Sequence, residues 1–368
     1  MNNFRYENLS DGVKSVEKQF EEFNPDLFFN VAPYPLGINT QKVAIIGAGI
    51  SGLICARTLH NLGFSVTVFD KSRAPGGRIS TRKIDPNLAF DHGAQYFTAR
   101  HPLFSRFVND WQNLNIVAPW GGRIIKLQDF IATDTQLQQR FVGVPKMSSL
   151  ASYLSQGLNI HLDTKIMQVC RKNSGWELTD EKANFFQPFN FLVNTLPGPQ
   201  SAELLSKFPI GLNISQALMA PCWAVLVAFE TPYEVPWDGA FIHNSPLSWV
   251  SRDSSKPGRN TQYDSWVLHG NPDWSNLHLE DNPQIVATNL CKAFSEATRI
   301  DLPKVYFRTS HRWRYSMGHL PQLHNCFIDP KIGLLACGDW LNGGRIEGAF
   351  LSGAYAAQAI FQLVKNLI

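Results

Sequence analysis

Four apolar residues, Val43 to Ile46, open the patterned part of the chain, with no polar position among them. A short run of that kind, rich in branched side chains, predicts a strand buried on both faces. Leu53, Ala56 and Leu59 then recur at helical spacing, and Gly63 stands where a helix closes on a left-handed residue. Phe64–Phe69 is a second apolar run, ended by Asp70. Further along, Phe189–Thr195 predicts a buried strand stopped by Leu196-Pro197-Gly198-Pro199, and Ile332–Ala336 predicts another. Shorter strands are expected over Ile160–Leu162 and Ile166–Val169, and a helix start over Pro145–Leu154.

The middle of the chain has a different texture. Cys222–Glu230, Gly239–His243, Leu247–Arg252 and Tyr263–Gly270 are strand-length runs of aromatic and branched residues, separated by turn residues such as Ser254 to Gly258. They predict an antiparallel sheet. Pro283–Thr298 is expected to be helical, with Ile285, Leu290 and Phe294 on its buried face. The whole is an α/β fold of two bodies. One is a Rossmann-like dinucleotide-binding body made of residues 41–104, 141–200 and 318–368. The other, made of 105–140 and 201–317, is an antiparallel sheet with helices that forms a roof. Residues 1–40 read as an extension, with a short surface helix over Asp11–Phe23.

Charge and cysteine content narrow the partners. Lys and Arg number 33 against 30 Asp and Glu, too even a balance for nucleic acid or an anionic membrane as the main partner. The six cysteines are scattered, without metal spacing, which fits reduced thiols in the cytoplasm and no metal site. No apolar run approaches the ~18 residues of a spanning helix. The N-terminus lacks a basic segment followed by an apolar one, so no signal peptide is expected.

The chemistry starts at Gly47, Gly49 and Gly52, a G-x-G-x-x-G set between the first strand and helix. Gly47 permits the tight turn, Gly49 lets a pyrophosphate approach the backbone, and Gly52 lets helix and strand pack closely. The anion rests on the helix N-terminus, beside Ser51. Asp70, with Lys71 after it, is placed to accept from ribose hydroxyls. Gly76-Gly77-Arg78 follows, an extension that a protein binding only a nicotinamide cofactor does not need. At the far end, Gly338-Asp339 ends a strand, and Glu347, Gly348 and Ala349 begin a helix of small residues. The spacing resembles the two-dinucleotide-fold flavoproteins of the amine oxidase class. There the GGR arginine lies near the flavin, the Asp339 position meets the ribityl or pyrophosphate region, and the last helix aims its positive end at the flavin pyrimidine edge.

FDHGAQYFTARHP (90–102) and GDW-x4-RIEGAFLSG near the C-terminus are more specific. With FVGVPKMSSL (141–150), SWVLHG (265–270) and HRWRYS (311–316), they resemble renalases of the bacterial type, from about Lys42 onward. The resemblance implies a p-hydroxybenzoate-hydroxylase-like fold and non-covalent FAD. It also implies oxidation of the 2- and 6-dihydro isomers of NAD(P) to β-NAD(P), with dioxygen reoxidising the flavin to give hydrogen peroxide. It places Ala94, Gln95 and Tyr96 against the flavin ring and Ile166 near the adenine. It makes His269, on a roof strand, a partner for the substrate carboxamide. Gln95, Tyr96 and His269 are the catalytic candidates. Trp223, Trp249 and Trp266 are candidate pocket walls, and Arg252 and Arg314, with Arg312, are candidates for a substrate phosphate or carboxylate. His92 and His101 are weaker candidates. Two other readings stay open: an amine or prenyl-lipid oxidoreductase on the same scaffold, and a non-catalytic flavin redox sensor.

Overall fold

A computed structural model of the chain describes residues 40–320 and 323–365. The segment 1–39, and with it the expected helix over Asp11–Phe23, lies outside the described residues.

The first body is built on a six-stranded sheet. Its centre is Lys42–Ile46, paired in parallel with Ser65–Phe69 on one side and Phe191–Asn194 on the other. Asn159–His161 extends it beyond Ser65–Phe69, and Leu334–Ala336 extends it beyond Phe191–Asn194. Phe327–Asp329 closes the edge antiparallel. Val43, Ala44 and Ile45 are fully buried, as expected of a strand covered on both faces. The crossover helix Ile50–Asn61 packs along the last helix, Ile346–Lys365. Their approach is close enough that a Cβ on Gly353 would stand 2.2 Å from the Ser51 carbonyl oxygen. Ser51 Oγ donates to the Ala349 carbonyl at 2.6 Å, so the two ends of the chain are joined beside the glycine turn.

The second body is a seven-stranded sheet. In spatial order its strands are Val305–His319, Leu218–Phe229, Asp264–Gly270, Leu247–Arg252, Gly239–His243, Ile124–Gln128 and Ile131–Asp134. All pairs are antiparallel except Gly239–His243 with Ile124–Gln128. The long outer strand Val305–His319 was not predicted, because its polar and charged residues hide the two-residue period at an edge. The helix Pro283–Thr298 forms as expected, but Ile285 is exposed and Val286 takes the buried place. The reason is helical spacing: Val286, Leu290 and Phe294 lie four apart, and Ile285 is turned away from that stripe. The helix Pro102–Asn113 also differs from the expected division. Phe104 and Trp111 pack on Phe350 of the last helix, so it belongs to the core of the first body.

Candidate active site

A cavity of about 1960 Å³ lies between the two bodies, lined by the glycine turn on one side and the roof sheet on the other. Its floor is the start of the Ile50–Asn61 helix. Gly47 adopts φ +109° and receives Thr195 Oγ1, which donates to the Gly47 carbonyl at 3.1 Å. A Cβ on Gly52 would meet the Gly47 carbonyl oxygen at 1.9 Å, whereas one on Gly49 would meet nothing within 4 Å. Gly49 therefore faces open space, and the helix it caps has no side-chain cap. Free N–H groups of a helix start, open to a cavity and bare of side chains, are what a pyrophosphate requires. Asp70 lines the cavity and also braces this turn: Oδ2 accepts from Ala48 N at 2.6 Å and Oδ1 from Ser72 N at 2.7 Å. A carboxylate has further lone pairs for a ribose. Lys71 and Ile166 line the same end. These residues fit FAD: the turn leaves room where the dinucleotide's phosphates would approach.

The GGR segment forms the next wall. Gly76 and Gly77 both have positive φ, at +129° and +53°, which turns the chain under the cavity. Arg78 makes a two-pronged pair with Asp339, Nη1 to Oδ2 at 2.9 Å and Nη2 to Oδ1 at 2.5 Å, and Nη1 also donates to the Ser316 carbonyl at 2.9 Å. Both residues line the cavity, so each is placed for the cofactor, but each is also the other's partner. Glu347 Oε1 accepts from the backbone N–H groups of Arg100 and His101, each at 2.7 Å, and so anchors the loop after Tyr96. His101 itself caps the helix Pro102–Asn113. Gly338 and Ala349 line the cavity. Gly348 and Gly52 are not among the lining residues; they are packing positions, and a Cβ on Gly348 would stand 1.8 Å from the Asn342 carbonyl oxygen.

Sheet register decides which roof residues reach the cavity. His311 is opposite Ala224, Ala224 opposite His269, His269 opposite Trp249, Trp249 opposite Phe241, and Phe241 opposite Lys126. Residues directly opposite share a face. His311, His269, Trp249, Phe241 and Lys126 all line the cavity. Three expected pocket residues therefore fall on the other side. Trp266 is an odd number of steps from His269, Arg252 from Trp249, and Trp223 from Ala224, and an odd step along a strand reverses the face. Trp223 and Trp266 are buried in the core under the Pro283–Thr298 helix. Arg252 lies over the Trp266 ring, with Nε 3.4 Å from Asp264. Arg314 reaches the rim, but both its terminal nitrogens are held by Glu280, at 2.6 and 2.9 Å, and Arg312 shares the same carboxylate. None of these three arginines is free for a substrate anion.

The GAQY loop divides its roles. Gly93 is pressed on the GGR segment, since a Cβ there would lie 2.0 Å from the Arg78 carbonyl oxygen. Gln95 was expected as a catalytic group, yet both ends of its amide are committed. Nε2 donates to the carbonyls of Asp91 and Gly93, and Oε1 accepts from Ser251 Oγ at 2.7 Å and Lys256 Nζ at 3.0 Å. It is a positioning residue. Beneath it lies a buried charge network missed in the sequence. Lys256 Nζ is 2.6 Å from Asp253, and Arg259 is bonded to Asp91. Burial raises the Asp253 carboxyl in spite of Lys256; burial also opposes ionisation of Asp91, but Lys256 and Arg259 hold it below the usual carboxylate range. Tyr96, by contrast, lines the cavity, with its ring 5.5 Å from Trp249 and the Arg140 guanidinium 5.3 Å above it.

A cluster of imidazoles lines the same cavity. His92 stacks on Trp313 at 5.1 Å and meets His311 edge-on at 4.8 Å. Trp313 Nε1 donates to the His92 carbonyl at 2.9 Å. Burial, then the neighbouring His311 and Arg82, push His92 down to about 4; burial pushes His269 down to about 4 as well, against the pull of the His92 backbone. Both rings are uncharged at neutral pH. His311 and Trp313 escaped the sequence reading, although the alternation in HRWR separates them from Arg312 and Arg314.

This has a consequence for stability. An unfolded histidine takes its proton near ~6.5, whereas these two resist until about 4. The stability they contribute is therefore complete above ~6.5 and is lost as pH falls toward the folded values, on the order of 3 kcal/mol for each ring. The melting temperature is expected to drop across that window, and the drop to be shallower in His269→Leu. An equal slope in the variant would refute the assignment.

An NAD(P)-binding Rossmann-like domain description matches residues 45–111. Protein FLOWERING LOCUS D of Arabidopsis thaliana is 44% identical across 68 residues, covering 18% of this chain and 9% of that protein. A flavin-containing monooxygenase, FMO GS-OX-like 6 of the same plant, is 39% identical across 59 residues, 16% of this chain and 13% of its own length. An L-amino-acid oxidase of Bothrops jararacussu is 37% identical across 75 residues, 20% of this chain and 15% of its own. The chain thus matches less than a fifth of each of these relatives. The fold extends further: a solved structure assigned as a protoporphyrinogen oxidase from Exiguobacterium sp. 255-15 superposes with TM-score 0.71 at 11% identity, covering 88% of this chain and 99% of that one. No helix among the described residues is long and apolar enough to cross a membrane. Glycine turn, GGR wall and matched relatives agree on the cofactor: the chain shares the fold of that solved structure, and its site takes FAD.

Proposed function

We propose that the protein is an FAD-dependent oxidase that takes hydride from the 2- and 6-dihydro isomers of NAD(P), with dioxygen as the final acceptor and hydrogen peroxide as a product. The observation that carries this reading is the cavity. At about 1960 Å³ it is larger than the ~1000 Å³ upper range of small-molecule sites, leaving room for a cofactor and a sizeable second ligand. Bound FAD supplies the hydride acceptor and the route to dioxygen. The chain's own residues place the donor. Tyr96, Trp249 and Phe241 form an aromatic wall, and the uncharged His269 and His92 line the same cavity. Aromatisation of a dihydropyridine ring drives hydride loss, so orientation is required more than a general base.

Amine oxidation on the same scaffold is the second reading, favoured by the likeness to an L-amino-acid oxidase across 75 residues. The pairing of Arg252, Arg312 and Arg314 with Asp264 and Glu280 speaks against an amino-acid carboxylate at those positions. Anaerobic stopped-flow decides between them. The FAD-loaded protein should lose its yellow absorbance rapidly with the 2- and 6-dihydro isomers, and slowly or not at all with β-NADH, amines or amino acids. Fast reduction by an amine, with inert isomers, would sink the proposal in favour of the second reading. Inertness toward every donor would leave a redox sensor.

A further inference from the structure

We infer that the Tyr96 end of the cavity is a diphosphate-binding site, in which Arg100 and Arg345 hold the diphosphate group of the second ligand. The inference deepens the reading above and rests on it only in taking that ligand to be a dinucleotide.

Two guanidiniums of like charge share one stretch of the cavity lining. Arg100 and Arg345 both line the cavity, and Arg345 lies within electrostatic reach of Arg100, Tyr96 and Glu347. The fold brings the two arginines together through one carboxylate. Glu347 Oε1 accepts from the Arg100 backbone N–H at 2.7 Å. Arg345 stands two residues before Glu347, and its carbonyl accepts from Ala349 N at 2.9 Å. The turn ahead of it is made by Gly343 and Gly344, at φ +78° and +67°. Both backbones are thus fixed while both side chains stay exposed to the cavity. Among the described residues neither guanidinium has a hydrogen bond or an ion pair. Partial burial, and after it the charge of Arg100, hold Arg345 below the usual guanidinium range, while Tyr96 and Glu347 pull the other way. Glu347 offsets one of the two charges, but its Oε1 is already taken by the N–H groups of Arg100 and His101.

Arg140 backs the pair. It is 8% exposed and lies over the Tyr96 ring at 5.3 Å. Its bonds go to neutral oxygens, the Gln138 carbonyl at 3.3 Å and Thr135 Oγ1 at 3.4 Å, and its Nε is buried without a partner. A buried cation that no carboxylate neutralises is costly, and an anion bound at the Tyr96 end of the cavity lowers that cost.

The chemistry of the site favours a diphosphate. A guanidinium presents a planar fork of donors that matches two oxygens of one phosphate. Two such forks, held apart by their own repulsion, suit two linked phosphates, whereas a single carboxylate occupies one fork and leaves the other unpaired. The roof arginines are engaged elsewhere, Arg252 with Asp264, and Arg312 and Arg314 with Glu280. The FAD phosphates have the N–H groups of the helix start at Gly49, which leaves this pair to the second ligand.

The test is calorimetric titration of the FAD-loaded protein at low salt with ADP, adenosine and L-phenylalanine, while the visible flavin spectrum shows whether the cofactor stays bound. ADP should bind at least about 10-fold more tightly than adenosine, and the difference should shrink as salt is added. Arg100→Gln and Arg345→Gln should each weaken ADP about 10-fold and leave adenosine unchanged. Arg100→Lys and Arg345→Lys should keep part of the preference, because the charge remains and the fork is lost. Arg314→Gln, whose charge Glu280 already offsets, should leave ADP binding unchanged. Equal binding of ADP and adenosine, or binding of neither, overturns the inference. So does ADP that releases the flavin, because it then occupies the cofactor's own site. Tighter binding of L-phenylalanine than of ADP overturns it in favour of a carboxylate site, and a loss in Arg314→Gln equal to the others reduces it to the general field of the cavity. The outcome is separable from the stopped-flow result. An ADP preference with isomers inert leaves this site standing and removes the oxidase reading, and fast reduction by isomers without an ADP preference does the reverse.

Discussion

Lys256→Met is expected to destabilise the protein by about 3–5 kcal/mol, the usual cost of leaving a buried charge without its partner. Lys256 is 2% exposed, and Asp91 and Asp253 beside it are each 1% exposed. Its ammonium is 2.6 Å from Asp253 Oδ1, 3.0 Å from Gln95 Oε1 and 3.8 Å from Asp91 Oδ2. Removing it strands Asp253, whose other cationic neighbour, Arg259, is itself bonded to Asp91. The effect reaches the cavity, since Gln95 loses one of its two Oε1 donors and the Asp91–Tyr96 loop loses a tether. The double variant Lys256→Met/Asp253→Asn keeps the Arg259–Asp91 pair and removes both orphaned charges. It should regain most of the loss, because replacing a buried pair is far cheaper than breaking it. Urea unfolding of the four FAD-loaded proteins measures this. Losses that simply add would show that the network is not a unit.

Gly52→Ala is expected to weaken FAD binding by roughly 100-fold, about 2.7 kcal/mol, and to destabilise the cofactor-free protein as well. The added methyl would stand 1.9 Å from the Gly47 carbonyl oxygen and 3.1 Å from its carbon. Both are backbone atoms of the turn, so no side chain can move to relieve the clash. The helix must shift away from the sheet and take its N–H groups out of register with the phosphates. Gly49→Ala is the informative contrast. Its φ of −76° suits alanine, and a Cβ there meets nothing of the protein within 4 Å. It should leave the melting temperature of the cofactor-free protein unchanged and still weaken FAD, because the space it fills is the ligand's. If both variants bind FAD normally, the glycine turn is not the pyrophosphate site.

The same contrast shows what was legible along the chain. The glycine unit, the strand Lys42–Ile46, the helix Ile50–Asn61 and the acid Asp70 could be read in order because each depends on residues near it in sequence. A two-sided strand needs an unbroken apolar run, and a tight turn needs glycine. The roof strands Gly239–His243 and Leu247–Arg252 were equally local and fell where their aromatic and branched residues placed them. Long-range partners were not legible. The pairing of Arg78 with Asp339 and the contacts of Lys256 with Gln95 and Asp91 join residues that only the tertiary fold brings together.

Face was the second thing the chain concealed. Composition nominated Trp223, Trp249 and Trp266 together, but a strand sends alternate side chains to opposite sides, and only Trp249 looks into the cavity. His311 and Trp313 were passed over in favour of Arg312 and Arg314 beside them. Sequence by itself indicated a dinucleotide cofactor and the glycine turn proposed to hold its phosphates, because a helix start and a glycine turn are properties of a few consecutive residues. Only the tertiary structure decided what the roof presents to the second ligand. That depends on the register among Leu218–Phe229, Asp264–Gly270 and Val305–His319, and register is set by packing across the sheet rather than by any one strand.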